Sequence, residues 1–454
     1  MREIERAEVV RKAREAGAHL ISFFWCDNGG IIRGKSTHIS GLESRLDSGI
    51  GVATAMQAMG DMDQLQVIDG MGPAGEFRLM PDPDTFTIMP YAPKRALMLC
   101  DLIARSREPW EACPRDFLKR MLAKAETTGL RFQVAMEAEW YLTEKEGDKF
   151  VPCDESLDNS SVGMTFAQEV VDEIIEALEA QGIGIEQYHT EVGHGQHELS
   201  IRHAPALRAA DNHIIYRETV RNVAYRHGMY ASFAPKPFPE QAGNGCHIHF
   251  SGWDLEEKTN LFYDAQDADN ISELAYHFIG GVMAHLPGLV ALTCPSMNSY
   301  RRLSPGSWST AFTCYGPDNR EAALRVPSNF WGAEMASTNL EFRPADNSSN
   351  PYIALGGLIA AGLDGIKREL QPSTSQRIDV DPARLTEEEL ARRDIHRLPT
   401  SLADATRELE RDTVLLDAMG PLLANSYLAI RHANWAIFSR EDAEFEIKNH
   451  FYKY

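Results

Sequence analysis

Basic charge is the scarcest commodity in this 454-residue sequence: 45 Lys and Arg against 66 Asp and Glu leave a formal net charge of −21. Phosphate backbones are bound by basic surface, so nucleic acid is excluded as the main partner. No uninterrupted apolar run of about 18 residues is present, and no membrane span is expected. The opening Met1-Arg2-Glu3-Ile4-Glu5-Arg6-Ala7-Glu8 lacks the apolar core of a signal peptide and reads as a charged helix. Cysteines number only seven, scattered and never spaced C-x-x-C, which excludes a disulfide framework. Reduced thiols in a cytoplasmic protein are the plainest expectation. Internal repeats and low-complexity tracts are missing too, which excludes a solenoid or a disordered array. What remains, 43% hydrophobic and 24% charged residues, is ordinary for a globular chain, and the length calls for two domains.

Residues 1–105 read as the smaller unit. A helix over about 4–17 leads into an apolar strand, His19–Trp25, then the turn Asp27-Asn28-Gly29-Gly30 and a returning strand from Ile31 to Lys35, a hairpin pattern. The Gly-, Pro-, Asp- and Met-rich stretch 61–93 reads as a long ordered loop, followed by a strand over Arg95–Leu102. The second unit, 106–454, alternates helices (Arg115–Thr127, Ala167–Gln181) with strands (Phe132–Leu142, Ile183–His189, Cys246–Phe250) and ends in a helical region, 401–439. A Pro/Ser/Asp-rich loop covers Gln371–Arg384, and Thr386-Glu387-Glu388-Glu389 starts a helix.

The informative signal is an i, i+2 spacing of polar residues within these apolar strands. Glu137 and Glu139 lie in Met-Glu-Ala-Glu-Trp-Tyr, His247 and His249 in Cys-His-Ile-His, and Glu341 and Arg343 in Leu-Glu-Phe-Arg. Strand residues two apart project to the same side. Paired carboxylates in a buried segment cost several kcal/mol unless a cation compensates them. Glu191 and Glu198 flank a glycine-containing turn, and closing it as a hairpin brings them together. Donors richer in carboxylate than in imidazole suit Mg²⁺ or Mn²⁺ better than zinc. A single E-x-E or H-x-H is ordinarily a solvated or structural feature; four such elements in one chain are harder to dismiss, although spacing alone does not decide for a metal site. Arg301, Arg302, Arg320, Arg325 and Arg343 add guanidinium forks suited to carboxylate and phosphate.

Seven segments taken in order resemble the glutamine synthetase family, from about residue 15 to the C-terminus. They are Met-Glu-Ala-Glu-Trp-Tyr (136–141), His-Thr-Glu-Val-Gly-His-Gly-Gln-His-Glu (189–198), Ala-Pro-Lys-Pro (234–237), Gly-Asn-Gly-Cys-His-Ile-His (243–249), Asn-Ser-Tyr-Arg-Arg-Leu-Ser-Pro-Gly (298–306), Asp-Asn-Arg-Glu-Ala-Ala-Leu-Arg-Val-Pro (318–327) and Leu-Glu-Phe-Arg-Pro-Ala-Asp-Asn-Ser-Ser-Asn-Pro-Tyr (340–352). The resemblance implies an α+β protein: an N-terminal β-grasp domain and a large catalytic α/β domain with a curved antiparallel sheet. It further implies a homo-oligomer of stacked hexameric rings whose sites are completed by a neighbour. It implies ATP as co-substrate and two Mg²⁺ or Mn²⁺ ions per site. Carried over motif by motif, Glu139, Glu191 and Glu198 match the ligands of one ion, and Glu137, His247 and Glu341 those of the other. Glu186, His203, His249, Ser251 and Arg325 fall at ATP-contacting places. Gly243, Arg302 and Arg343 fall at glutamate-binding places, and Arg320 at that of the arginine on the transferring phosphoryl group.

The sequence departs from the ammonia-using pattern in one region. Trp308 stands two residues after Pro305-Gly306, where a flap glutamate is expected, and the N-terminal acid has only Asp61 or Asp63 as loose candidates. Ala242 and Asn339 replace an Asn and an Arg, and His396 lies near the place of a modifiable tyrosine. Keeping the metal set while losing the ammonium carboxylates implies a γ-glutamyl–amine ligase for an organic amine, with Trp308 facing the amine. The alternatives are a glutamine synthetase that handles ammonia through other residues, and a non-catalytic relative serving as sensor or assembly partner.

Overall fold

The computed structural model describes residues 3–454, with side chains from Arg6 onward. Two sheets organise it. The smaller has six strands, with Arg95–Ile103 at its heart, parallel to Leu20–Cys26, which is antiparallel to Ile32–His38. Arg95–Ile103 also pairs with Glu76–Pro81, which in turn pairs with Ile50–Ala53. The expected hairpin is therefore present. The expected loop over 61–93 is not one loop, because Glu76–Pro81 inserts as a strand whose Phe77, Leu79 and Pro81 alternate into the interior. The helices Glu3–Glu15 and Leu42–Ser48 contribute Val9, Val10, Ala13, Leu42 and Leu46 to one core with Ile21, Phe23, Trp25 and Phe77.

Alternation along Arg95–Ile103 joins this unit to the rest. Ala96, Met98, Cys100 and Leu102 fill the small core, whereas Leu97 and Leu99 belong to the large one. The turn after Leu20–Cys26 is gripped as well. Asn350 Nδ2 donates to Cys26 O and Asp27 O, Arg217 donates to Gly30 O, and Tyr454 Oη donates to Gly29 O. Gly30 has φ 76°, and a Cβ there would lie 2.0 Å from Ser348 O, so the contact requires glycine.

The larger sheet has ten strands centred on Arg131–Glu146. Along it Phe132, Val134, Met136 and Ala138 are buried against helices, leaving Gln133, Ala135, Glu137 and Glu139 on the opposite face. The covering layer includes Pro114–Glu126, Ala206–Arg226, Glu273–Thr293 and Pro351–Arg368. By length and composition Glu273–Thr293 is apolar enough to cross a membrane, yet 67% of its most apolar window is buried inside this fold, as in a core helix. Residues 401–439 form three helices, Leu402–Arg411, Thr413–Met419 and Pro421–Phe438. Glu387–Arg392 starts at Thr386 with a reciprocal cap to Glu389.

Candidate active site

Strand register assembles the site. Glu139 of the central strand lies opposite Glu198 of Gln196–Ile201, and Glu198 opposite His189 of Ile185–Thr190. On the other flank His247 faces Glu137, His249 faces Glu341 of Leu340–Phe342, and Glu341 faces Arg325 of Ala322–Val326. The i, i+2 spacings thus become one continuous charged surface across six strands. It floors an open cavity of about 860 Å³, lined by all six expected metal ligands and by Gly243, His249, Arg302, Trp308, Arg320, Arg325 and Arg343.

The floor is electrostatically uneven. On one side Glu341 receives Arg325 Nη1 at 2.8 Å and the Arg343 guanidinium, while Glu137 Oε2 lies 3.1 Å from His249 Nε2. Burial opposes ionisation of Glu341, but Arg343, His249, His247 and Arg325 outweigh it and hold the carboxyl at about 2. Burial likewise opposes the charge on Glu137, and His249 and His247 pull its pKa well below the usual range. His249 is raised to about 9 by Glu137 and Glu341 against its burial, whereas burial and Arg343 press His247 down to about 4.

The other side lacks such compensation. Burial and the neighbouring Glu191 push Glu139 up to about 7, and burial with Glu137, Glu139 and Glu191 raises Glu198 well above the ordinary carboxylate range. Glu139 accepts only from neutral donors, Gly245 N at 2.9 Å and Gln196 Nε2 at 3.2 Å. The hydrogen bond that His189 Nε2 donates to Glu191 at 2.9 Å raises His189 to about 9. Ligand atoms of His189, Glu191 and Glu198 lie within 4.8 Å of one another, as do those of Glu137, Glu198 and His247. Oxygen-rich donors whose ionised forms repel one another in a buried site fit a hard divalent cation.

Three expected residues fall outside the cavity lining. Glu186 is exposed beside Arg202, 3.4 Å away, at the bulge of its strand, and the cavity is reached instead by Gln187 and His189. Ser251 pairs across the sheet with Gln133, and His203 Nδ1 is 3.4 Å from the Gln133 side chain. These two therefore extend the same face beyond Ala135. Gly243 has a packing reason: a Cβ there would meet Arg302 Cγ and Pro235 O, each at 2.7 Å. Arg302 already donates to Pro344 O and Arg343 O, whereas Arg320 is exposed and has no ion pair among the described residues.

Asp61 is corrected as an amine-site acid. It is fully buried, accepting from Tyr454 Oη at 3.1 Å with Arg431 Nη2 3.8 Å away, and this places it in the interior. Asp63 is exposed and paired with Arg33 at 2.7 Å, and neither lines the cavity of this chain.

Sequence reasoning passed over several lining residues: Asp158, Asn159, Gln187, His189, Gln196, Lys236 and Gln241. His189, Gln196 and Lys236 stand inside quoted motifs, and that was the available signal. It also passed over Glu321, which holds the flap. Trp308 has φ 55°, its N–H donates to Glu321 Oε1 at 2.6 Å, and its carbonyl accepts from Arg343 Nη2 at 3.0 Å. The peptide is thereby clamped while the indole stays 58% exposed at the cavity.

Comparison with known proteins agrees with this geometry. Residues 5–110 match the glutamine synthetase N-terminal domain, and 111–450 the glutamine synthetase catalytic domain. A gamma-glutamylpolyamine synthetase GlnA3 of Streptomyces coelicolor is 36% identical over 437 residues, covering 94% of this chain and 92% of the relative. The glutamine synthetase of Halobacterium salinarum is also 36% identical, over 84% of each chain. Among solved structures, a GmaS/ADP complex superposes with a TM-score of 0.85 at 29% identity, over 97% of this chain and 98% of the other. The α+β architecture, an N-terminal domain beside a catalytic domain, is thus the family's. The chain belongs to the glutamine synthetase family and is an ATP-dependent carbon–nitrogen ligase.

Proposed function

We propose that this protein joins the γ-carboxylate of glutamate to an organic amine through γ-glutamyl phosphate. The observation that carries the reading is Trp308: an indole, not a carboxylate, projects from the flap into the cavity. Ammonium is small and strongly hydrated, and its capture and deprotonation call for carboxylates. An indole offers apolar and cation–π surface to a substituted amine instead. The similarity to a gamma-glutamylpolyamine synthetase supports this choice.

In this reading Glu139, Glu191 and Glu198 hold one Mg²⁺ or Mn²⁺, and Glu137, His247 and Glu341 hold the other. When bound, the ions neutralise phosphate and carboxylate charge. Arg320, whose guanidinium has no ion pair among the described residues, reaches the transferring phosphoryl group. Arg302 and Arg343 direct their remaining N–H groups, with the Gly243 backbone, to glutamate. His249 and Arg325 take the phosphate end of ATP, with His203, Ser251 and, once released by Arg202, Glu186 at the nucleoside end. The amine attacks as a neutral nucleophile, so its proton leaves to a base; Asp158 is a carboxylate that lines the cavity outside the proposed metal set. Stacked hexameric rings would let a neighbour's N-terminal unit close the cavity.

Ammonia as the amine is the competing reading, favoured by the equal identity to a glutamine synthetase. Glutamate- and ATP-dependent phosphate release, measured across ammonium, monoamines, diamines, ethanolamine and aromatic amines, separates the two. Turnover with at least one organic amine above that with ammonium is expected; ammonium as the best substrate rejects the proposal.

A further inference from the structure

Behind the charged floor lies a second group of donors of different chemistry. His197 neighbours Glu198 in Gln196–Ile201, so alternation turns it to the opposite face of the sheet. It is 0% exposed and packs beside Trp140 with ring centres 5.0 Å apart. Its Nδ1 meets Tyr188 Oη at 3.0 Å, whereas Nε2 is buried with no hydrogen-bond partner. Cys153 Sγ lies 3.4 Å from Asp154 Oδ2, and Asp154 Oδ1 is fixed by Ser156 N at 2.7 Å. One donor atom from each of Cys153, Asp154 and His197 lies within 4.8 Å of the other two.

We propose that Cys153, Asp154 and His197 form a zinc site, distinct from the catalytic floor. Tetrahedral zinc with bonds of about 2.3 Å to sulfur and about 2.0 Å to nitrogen and oxygen separates its ligands by roughly 3.3–3.6 Å. The sulfur–oxygen pair already has that spacing, and the imidazole needs an approach of at most about 1.5 Å. In the proposed site the Tyr188 Oη contact takes an Nδ1–H from His197, so that the unpartnered Nε2 offers its lone pair to the metal, the arrangement a metal-bound histidine uses. Thiolate and imidazole select zinc over Mg²⁺, the reverse of the carboxylate floor. On binding, the Cys153 thiol proton passes to solvent as the sulfur–zinc bond forms, and a water completes the fourth position.

The site has a structural consequence for the cavity. Cys153 and Asp154 root the loop that carries Asp158 and Asn159 to the cavity wall, where Asn159 N donates to Thr190 O at 3.0 Å. Zinc therefore staples that loop to the strand pair bearing Glu191 and Glu198.

Cobalt is the probe that separates this site from the floor, because no thiol lines the cavity. The full chain, stripped by chelator and held in excess Mg²⁺, is titrated with Co²⁺. A near-ultraviolet thiolate-to-cobalt charge-transfer band saturating at one equivalent per chain is expected, lost on adding zinc. Cys153→Ser should abolish the band and leave Mg²⁺-supported phosphate release unchanged. Asp154→Asn should weaken cobalt binding by about 10-fold or more, and serves if the serine variant misfolds. Zinc should also slow amide hydrogen exchange across residues 153–160 in the wild type and not in the variants. Absence of the band, its persistence in Cys153→Ser, or exchange indifferent to zinc overturns the proposal.

Discussion

The two ends of the cavity are built from different material. The floor is carried by six paired strands, with Glu139, Glu198, His247 and Glu341 all buried, and each side chain is positioned by a register that a one-residue slip would invert. The end proposed to meet the amine is carried by the flap, residues 304–310, where Gly306, Trp308 and Thr310 all have positive φ and Trp308 is exposed. Charge fixed by a sheet suits chemistry common to every amine, namely nucleotide and carboxylate activation. A side chain exposed on a loop can change without disturbing that floor.

If the floor is shared chemistry, breaking it should be most costly. Glu341→Ala removes a proposed ligand and the partner of both Arg325 and Arg343. Loss of groups that merely orient metal ligands costs about 10–100-fold, so kcat/KM for every amine should fall more than about 100-fold. The circular-dichroism spectrum should stay native, and activity with all amines should vanish in chelator.

If the flap sets amine choice, Trp308→Glu should act selectively. The ratio of kcat/KM for the best organic amine over ammonium should shrink by roughly 10- to 200-fold, the range for a pocket-filling group. Partial reactions that need no amine should be spared.

The clamp predicts a smaller effect. Glu321→Ala frees the Trp308 N–H and should raise the amine KM about 10-fold, equivalent to about 1.4 kcal/mol, with the KM for glutamate changed less. Equal changes in both would mean that Glu321 supports the whole cavity and not the flap.

A site remote from both ends serves as a control. His285 bridges Asp412 at 2.7 Å and Asp364 at 3.1 Å, and Asp364 also pairs with Arg368. Burial opposes its charge, but the two aspartates outweigh it and raise its pKa. With the folded value above the unfolded one of about 6.5, its stabilisation is complete below that pH and fades as pH rises through the folded value. His285→Gln should lower Tm by about 2 °C at pH 6, and the difference should narrow toward pH 9 without altering amine preference. A gap that widens with pH contradicts the sign.

The same contrast explains what the sequence revealed. Period-two spacing is a direct record of a strand face, so Glu137/Glu139 and His247/His249 could be read together before any fold was known. The turn between Glu191 and Glu198 was legible for the same reason, and Glu191 N does bond Gln196 O at 2.9 Å. The helices Ala206–Arg226, Glu273–Thr293 and Pro351–Arg368 went unread because they are buried on nearly all sides and show no amphipathic stripe. Glu76–Pro81 was hidden by the Gly and Pro around it. Asp158 lies in no quoted motif, and Glu321 lies in one without any spacing that marks it, since their importance arises only when the flap and the loop fold over the sheet.

The central claim, an organic amine preferred over ammonia, is tested most directly by competition. The wild-type chain, with glutamate, ATP and Mg²⁺, is given ammonium and the best organic amine at equal concentrations and fixed pH, and the products are quantified by mass spectrometry. The account predicts an excess of the γ-glutamyl amide over glutamine, at least about 10-fold and reduced in Trp308→Glu. Glutamine as the major product would contradict it.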